Sequence, residues 1–384
     1  MEKHDQLLMK RQNKNLVLDI IRTKSPISRI EIAKMTGMSP TSITRIVTEL
    51  QLQGYLRETE AVASGVGRKA TLLEVRGDVL YTIGIEIDKS LLKVGIVNYI
   101  GEMVSLHKSK RDESESYIET LHKIDKVIRK IMEENEIPAA KILGLAVGLP
   151  GYIDYKNGIV KVSDQLKWKD ASLAEDLQKL TSFNVIVDNE LKMKIVAESF
   201  TGKAKNSQNS ILIGIGSGIG SSIMLNGEIY RGETNNAGEI GHTVIDPTGN
   251  VCNCGKIGCL ATYISEGAIL ADSRKVKDIS SIEDVFQSYR DREPWAVNIM
   301  DRASTYIALA ISNLLCLYNP EVIILSGNTI EKLPEMKEAI EQKCELYIWE
   351  PLKQSVRIVY SELSDNGVVL GAAIKAQNLM LELE

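Results

Sequence analysis

Apolar positions near the start of the chain recur at helical spacing. Leu16, Val17, Ile20 and Ile21 make one helical face, and a break follows at Ser25-Pro26. Ser28-Arg29-Ile30-Glu31 reads as a capping box flanked by Ile27 and Ile32 as a hydrophobic staple. Gly37 ends that short helix, Ser39 caps the next, and Pro40 takes its first position. Ile43, Ile46, Val47 and Leu50 follow at i, i+3, i+4, i+7. Two short helices joined through Thr36-Gly37-Met38 form a helix-turn-helix pattern with the second helix turned outward. Residues 55–59 and 71–75 read as two strands, and the stretch between them, Ala63 to Lys69, reads as a glycine-rich wing tip.

From Leu80 the pattern becomes that of strands. Residues 81–87 and 91–97 form a hairpin, residues 116–134 a helix, and residues 142–147 and 184–187 further strands. The theme then restarts with a second glycine-centred hairpin, 211–215 and 219–225. Strands at 322–325 and 356–360 come next, with helices between them and a last helix after Gly371. Two similar halves predict a duplicated α/β unit with a ligand cleft between the halves.

Charge separates the head from the body. Residues 1–76 carry 13 Lys+Arg against 8 Asp+Glu, a net of +5; of the chain totals of 46 and 51, that leaves 33 against 43, a net of −10. A basic head on an acidic body predicts that the head alone meets a polyanion. The outward face of the second helix carries Thr41, Ser42, Thr44, Arg45 and Thr48 behind the cap Ser39, side chains suited to base edges and phosphates. Arg68 and Lys69 at the wing tip are candidates for phosphate or minor-groove contact. The 384 residues suit two to three domains. No apolar run approaches the ~18 residues of a membrane span, and the polar residues 1–15 do not form a secretory leader. Five cysteines, three of them packed into residues 252–259, fit a thiolate site in a cytoplasmic protein better than a disulfide framework.

Three features of the body carry chemistry. His242 with Cys252, Cys254 and Cys259 supplies one imidazole and three thiolates, a closed tetrahedral shell for structural zinc. Gly214 to Gly220 is a turn that reads equally as a phosphate cradle or as a place where two backbones meet. Asp188-Asn189-Glu190 and Gly238-Glu239-Ile240-Gly241-His242 place polar groups just past apolar strands, where they would reach hydroxyls.

These residues together resemble the ROK family of sugar kinases and sugar-responsive repressors. The specific signature is Gly238-Glu239-Ile240-Gly241-His242 followed by Cys252-x-Cys254-Gly255-x-x-Gly258-Cys259, supported by Leu149-Pro150-Gly151, Ser326-Gly327 and Gly371-Ala372-Ala373. The resemblance implies a winged helix-turn-helix over 1–76. For 77–384 it implies an actin-like, ribonuclease H-like ATPase fold of two lobes, with the zinc site at 242–259. The layout is most similar to repressors of the xylose type. Residue by residue, the resemblance assigns effector hydroxyls to Asn189, Glu190, Glu239 and His242. Glu190 stands where family kinases have their Asp base, and Ala261 where a further sugar-binding Glu is usual. The family's phosphate-binding turn corresponds to Glu86-Ile87-Asp88-Lys89-Ser90, where Asp88 replaces a glycine and sets a carboxylate against an incoming phosphate. The expected protein is therefore no enzyme. It is a repressor of carbohydrate-utilisation genes, with double-stranded operator DNA and a small carbohydrate as partners, assembled as a homodimer or higher oligomer. The competing expectations are an active sugar kinase with a DNA-binding head and a repressor governed by a protein partner.

Overall fold

The structure is a computed structural model that describes residues 2–60 and 71–381. The head starts with three helices, α1 (Glu2–Lys24), α2 (Arg29–Thr36) and α3 (Pro40–Leu52). The capping box of α2 is present: the Glu31 amide donates to Ser28 Oγ and the Ser28 amide to the Glu31 carboxylate. Ile27 and Ile32 are both buried beside it. Ser39 caps α3, accepting the Ser42 amide at 3.2 Å, and Ile43, Ile46, Val47 and Leu50 are the buried face. The apolar face of α1 is rotated from the expected one. Val17, Leu18 and Ile21 are buried while Leu16 is exposed. Strands Leu56–Glu60 and Thr71–Val75 pair antiparallel, and Ile27–Ser28 adds a third strand beside Thr71–Val75. The wing-tip residues Arg68 and Lys69 lie outside the described residues.

The body contains two five-stranded sheets built on one plan. In the first, the antiparallel trio Tyr81–Ile87, Leu91–Asn98 and Met103–Lys110 is extended through Ile142–Leu149, parallel to Tyr81–Ile87, and then Val185–Asn189. In the second, Ser210–Ile215, Ile219–Leu225 and Glu228–Ile229 form the trio, and Val322–Ser326 and Arg357–Tyr360 extend it in parallel. The repeat expected from the two hairpins is thus a repeat of strand order. A separate three-stranded sheet, Tyr152–Asp154, Ile159–Ser163 and Trp168–Ala171, has no counterpart in the sequence reading.

The chain divides into two compact units, one running to Asp188 and resuming at Val369, the other Asn189–Val368. The head therefore belongs to the same unit as the first sheet. The last helix is Gly367–Met380, so it starts before Gly371 and not after it, and Gly371 lies inside it. Among the described residues no helix is long and apolar enough to cross a membrane.

Candidate functional site

On the head, Thr41, Thr44, Arg45 and Thr48 are exposed on α3, and Ser42 is half-buried. Arg45 enters no salt bridge among the described residues. Two hydroxyls on this face are already engaged by their own helix: Thr44 Oγ1 donates to the Pro40 carbonyl at 2.9 Å, and Ser39 Oγ donates to Ser42 Oγ at 3.0 Å. Lys10 and Asn13 of α1 line a concavity of about 140 Å³ together with Met38, Ser39, Ser42, Arg45 and Ile46. The sequence reading missed these two because a charged helical stretch reads as a solvated face. Glu49 of α3 anchors α1 beside them, accepting Lys14 Nζ at 3.0 Å and Lys10 Nζ at 3.3 Å.

In the second unit, the nitrogen and sulfur ligand atoms of His242, Cys252, Cys254 and Cys259 all lie within 4.8 Å of one another. Cys254 Sγ is 3.6 Å from Cys259 Sγ and Cys252 Sγ is 3.8 Å from His242 Nδ1, so the sulfurs are not disulfide-bonded. The loop is folded round this point by bridges between Val244 and Cys259 and between Val251 and Ile257. The sulfurs are unequal. The Lys256 amide pulls the exposed Cys254 thiol down to about 7, whereas burial pushes Cys259 up to about 11. Four soft ligands converging in this way fit a structural metal ion.

The loop that carries His242 is pressed against strand Ile219–Leu225. A Cβ on Gly238 would stand 2.1 Å from the Ser221 carbonyl oxygen, and one on Gly241 would stand 2.3 Å from that of Ile219. The Ser221 amide donates to the Gly238 carbonyl at 2.7 Å. Ile240 is buried between the two glycines, and Glu239 and His242 are exposed. Hence the signature works as two glycines and an isoleucine that seat the turn and two polar residues that it presents. Asn189 ends strand Val185–Asn189 and caps helix Glu190–Phe200, its side chain accepting the Leu191 amide at 2.9 Å. The glycine hairpin resolves toward packing: Cβ atoms at Gly214 and Gly220 would lie 2.7 and 2.9 Å from the Leu191 side chain. These glycines make room for the helix that starts at Glu190.

In the first unit, the turn that would receive phosphate is otherwise occupied. Glu86 is ion-paired with Lys93 on the adjacent strand at 3.1 Å, both side chains largely buried (13% and 4% exposed). Asp88 accepts the Lys89 amide at 2.7 Å, so the turn's own carboxylate takes a backbone donor that an anion would need.

The family model for ROK matches residues 82–378, and that for a winged helix-turn-helix DNA-binding domain matches residues 11–57. The chain belongs to the ROK family. It is similar to the xylose repressor of Caldicellulosiruptor bescii, 28% identical with 95% of each chain covered. It is also similar to the DNA-binding transcriptional dual regulator NagC of Escherichia coli, 24% identical with 97% of this chain and 94% of that one covered. A solved structure described as a ROK family transcriptional regulator, homolog of the E. coli MLC protein, superposes with a TM-score of 0.83, at 28% identity and with 97% of both chains covered. The ROK body and the winged head are thus joined here as they are in full-length regulators of this family.

Proposed function

We propose that this ROK protein is a cytoplasmic transcriptional repressor of carbohydrate-utilisation genes whose hold on operator DNA is set by a small sugar. The observation that carries the reading is the pairing of a winged helix-turn-helix with a ROK body whose phosphate turn is spoiled. Buried Lys93 neutralises Glu86, and Asp88 closes the turn on itself. A carboxylate in the path of the triphosphate opposes nucleotide binding, so the body senses sugar and does not phosphorylate it. Full-length relatives named as a xylose repressor and as a DNA-binding transcriptional dual regulator support the same reading.

In this reading Ser39, Thr41, Ser42, Thr44 and Arg45 face the major groove, and Arg68 and Lys69 reach the backbone or minor groove from the wing. A homodimer sets two such heads on a palindrome. The effector's hydroxyls are held by Asn189, Glu190, Glu239 and His242. His242, Cys252, Cys254 and Cys259 hold one structural zinc. A tetrahedral zinc with ~2.3 Å bonds to sulfur sets its sulfurs ~3.8 Å apart and sulfur from nitrogen by ~3.6 Å. The separations of 3.6 and 3.8 Å match that geometry. With Nδ1 turned to the cluster, the opposite ring edge of His242 presents Nε2 to a hydroxyl.

The test is thermal shift across sugars and sugar phosphates, starting with D-xylose because relatives carry that name. A ligand at ~100 times its dissociation constant stabilises its protein by ~2.7 kcal/mol. A panel in which no sugar shifts the melt, or in which ATP is consumed with sugar, overturns the reading.

A further inference from the structure

We propose that Tyr263 and Asp246 form a latch that closes the loop bearing Cys252 and Cys254 over His242 and Cys259, so that both are positioning residues for the metal. The proposal rests on the reading that these four side chains hold zinc. All the residues concerned belong to the Asn189–Val368 unit.

The four ligands come from two places on the loop. His242 and Cys259 sit at its base, where the Leu260 amide donates to the Thr243 carbonyl at 2.9 Å. There the Ile245 and Asp246 amides also donate to the Gly258 carbonyl, at 2.9 and 3.3 Å. Cys252 and Cys254 sit at its tip, in a turn of its own. The Cys252 amide donates to the Lys256 carbonyl at 2.7 Å, and the Gly255 amide to the Cys252 carbonyl at 2.9 Å. Residues 246–250 join base to tip and lie in no helix or strand. A bond from the Gly258 amide to the Asn250 carbonyl at 2.8 Å crosses from this segment to the base. How far the tip bends over the base therefore depends on what fixes residues 246–250.

Asp246 organises that segment. Its Oδ1 accepts the Thr248 hydroxyl at 2.8 Å and the Thr248 amide at 3.0 Å, and its carbonyl accepts the Gly249 amide at 3.0 Å. Its Oδ2 accepts the Tyr263 hydroxyl at 2.8 Å. Tyr263 is the fixed end of this contact. It lies four residues past Cys259 in the short helix Ala261–Ile264 and is 8% exposed. Its ring centroid stands 4.3 Å from that of Tyr306, on helix Pro294–Tyr318. Two glycines keep the space that the contact needs. A Cβ on Gly249 would overlap the Tyr263 hydroxyl, and one on Gly258, whose φ is +74°, would overlap the Asp246 carbonyl.

The consequence is preorganisation. Metal is bound by chains whose tip already stands over the base, so the apparent affinity scales with the fraction closed. A charge-assisted bond from a donor fixed by packing raises that fraction without touching any of the four ligands. Groups that orient metal ligands from outside change affinity by ~10–100-fold.

The experiment measures zinc affinity of the full chain by competition with a chromophoric chelator. Zinc content by mass spectrometry and melting of the metal-free and zinc-loaded forms accompany it. Tyr263→Phe removes one oxygen and keeps the ring beside Tyr306. We expect it to weaken zinc by at least ~10-fold and to lower the melting temperature of the zinc-loaded form more than that of the metal-free form. Asp246→Ala should weaken zinc as well. Tyr263→Phe should then add less than about twofold in the Asp246→Ala background, because the two residues act through one bond. A merely structural tyrosine would lower both melting temperatures alike and leave zinc affinity unchanged, and that result overturns the proposal. So does a Tyr263→Phe effect of equal size in both backgrounds. If Tyr263→Phe does not melt cooperatively, Asp246→Ala alone decides, and unchanged zinc affinity in it overturns the proposal. A wild-type chain that takes up no zinc removes the reading of the cluster and the latch with it. A wild-type chain and a Tyr263→Phe variant that bind zinc equally remove the latch alone.

Discussion

Loss of the metal should loosen the second unit by an amount set by loop closure. The cluster ties His242 to Cys259 and so closes a loop of about 18 residues. Treated as a cross-link, a loop of this length restricts the unfolded chain by ~3 kcal/mol. For a unit of 150–250 residues each kcal/mol moves the melting temperature by ~2–4 °C, so Cys254→Ser should lower that of the Asn189–Val368 unit by ~6–12 °C. Cys254 is exposed, so its substitution opens no cavity and the loss reports the metal alone. Cys316 supplies the control: it is exposed and outside the cluster. A surface change of that kind stays within ~0.5 kcal/mol, or ~1–2 °C. The assay is differential scanning calorimetry of the two variants and of chelator-treated wild type, alongside metal content by mass spectrometry. The reasoning is refuted if Cys254→Ser and Cys316→Ser melt together, or if the purified chain carries well under one zinc.

On DNA, Arg45→Ala should blur discrimination at one operator position by ~1–3 kcal/mol, whereas Lys10→Ala should weaken all sequences alike and lower the salt slope by about one unit, both read by titration at several salt concentrations. Glu239→Ala should leave operator binding intact and abolish the sugar response, and a variant that responds like wild type removes Glu239 from the sensing site. The hydrogen bond from Lys14, aided by Lys10, holds the Glu49 carboxyl below its ordinary value of 4.5. Its contribution to the α1–α3 contact is therefore present above pH 4.5 and lost as pH falls through the lower folded-state value. Glu49→Gln should cost about 1–3 kcal/mol at pH 7, between the exposed and buried limits for an ion pair, and should flatten the acid side of the head's melting profile.

Local chemistry was legible wherever a residue acts on its near neighbours. The Ser28–Glu31 box, the Ser39 cap and the buried stripe of α3 are decided within one or two turns, and the structure matches them. The convergence of His242 with the three cysteines was legible too, because a tight loop of short span leaves the ligands little room to part. Glycine was ambiguous for a physical reason. Gly214 and Gly220 read equally as phosphate cradle or close approach, and only the Leu191 side chain lying over them decides. The phase of α1 failed because its apolar residues outnumber one face, and the partner that chooses among them, a sheet strand some 50 residues on, is not visible in the helix itself.

The head's attachment lay furthest from view. Arg22 and Gln377 are 355 positions apart, and neither has a spacing, a repeat or a neighbouring motif that would bring the other to mind. An arginine followed by Thr23-Lys24 at the end of a basic helix reads as one more cation for DNA. Instead its charge is spent on Asp19, its planar donors on two amides of the last helix, and its face on Tyr99. Composition therefore overstates the charge that the head offers to a polyanion: Arg22 and Lys14 are both counted in its net of +5 and both are buried in ion pairs. Lys10, left exposed beside α3, together with the wing cations Arg68 and Lys69, is where its salt dependence should be reckoned from.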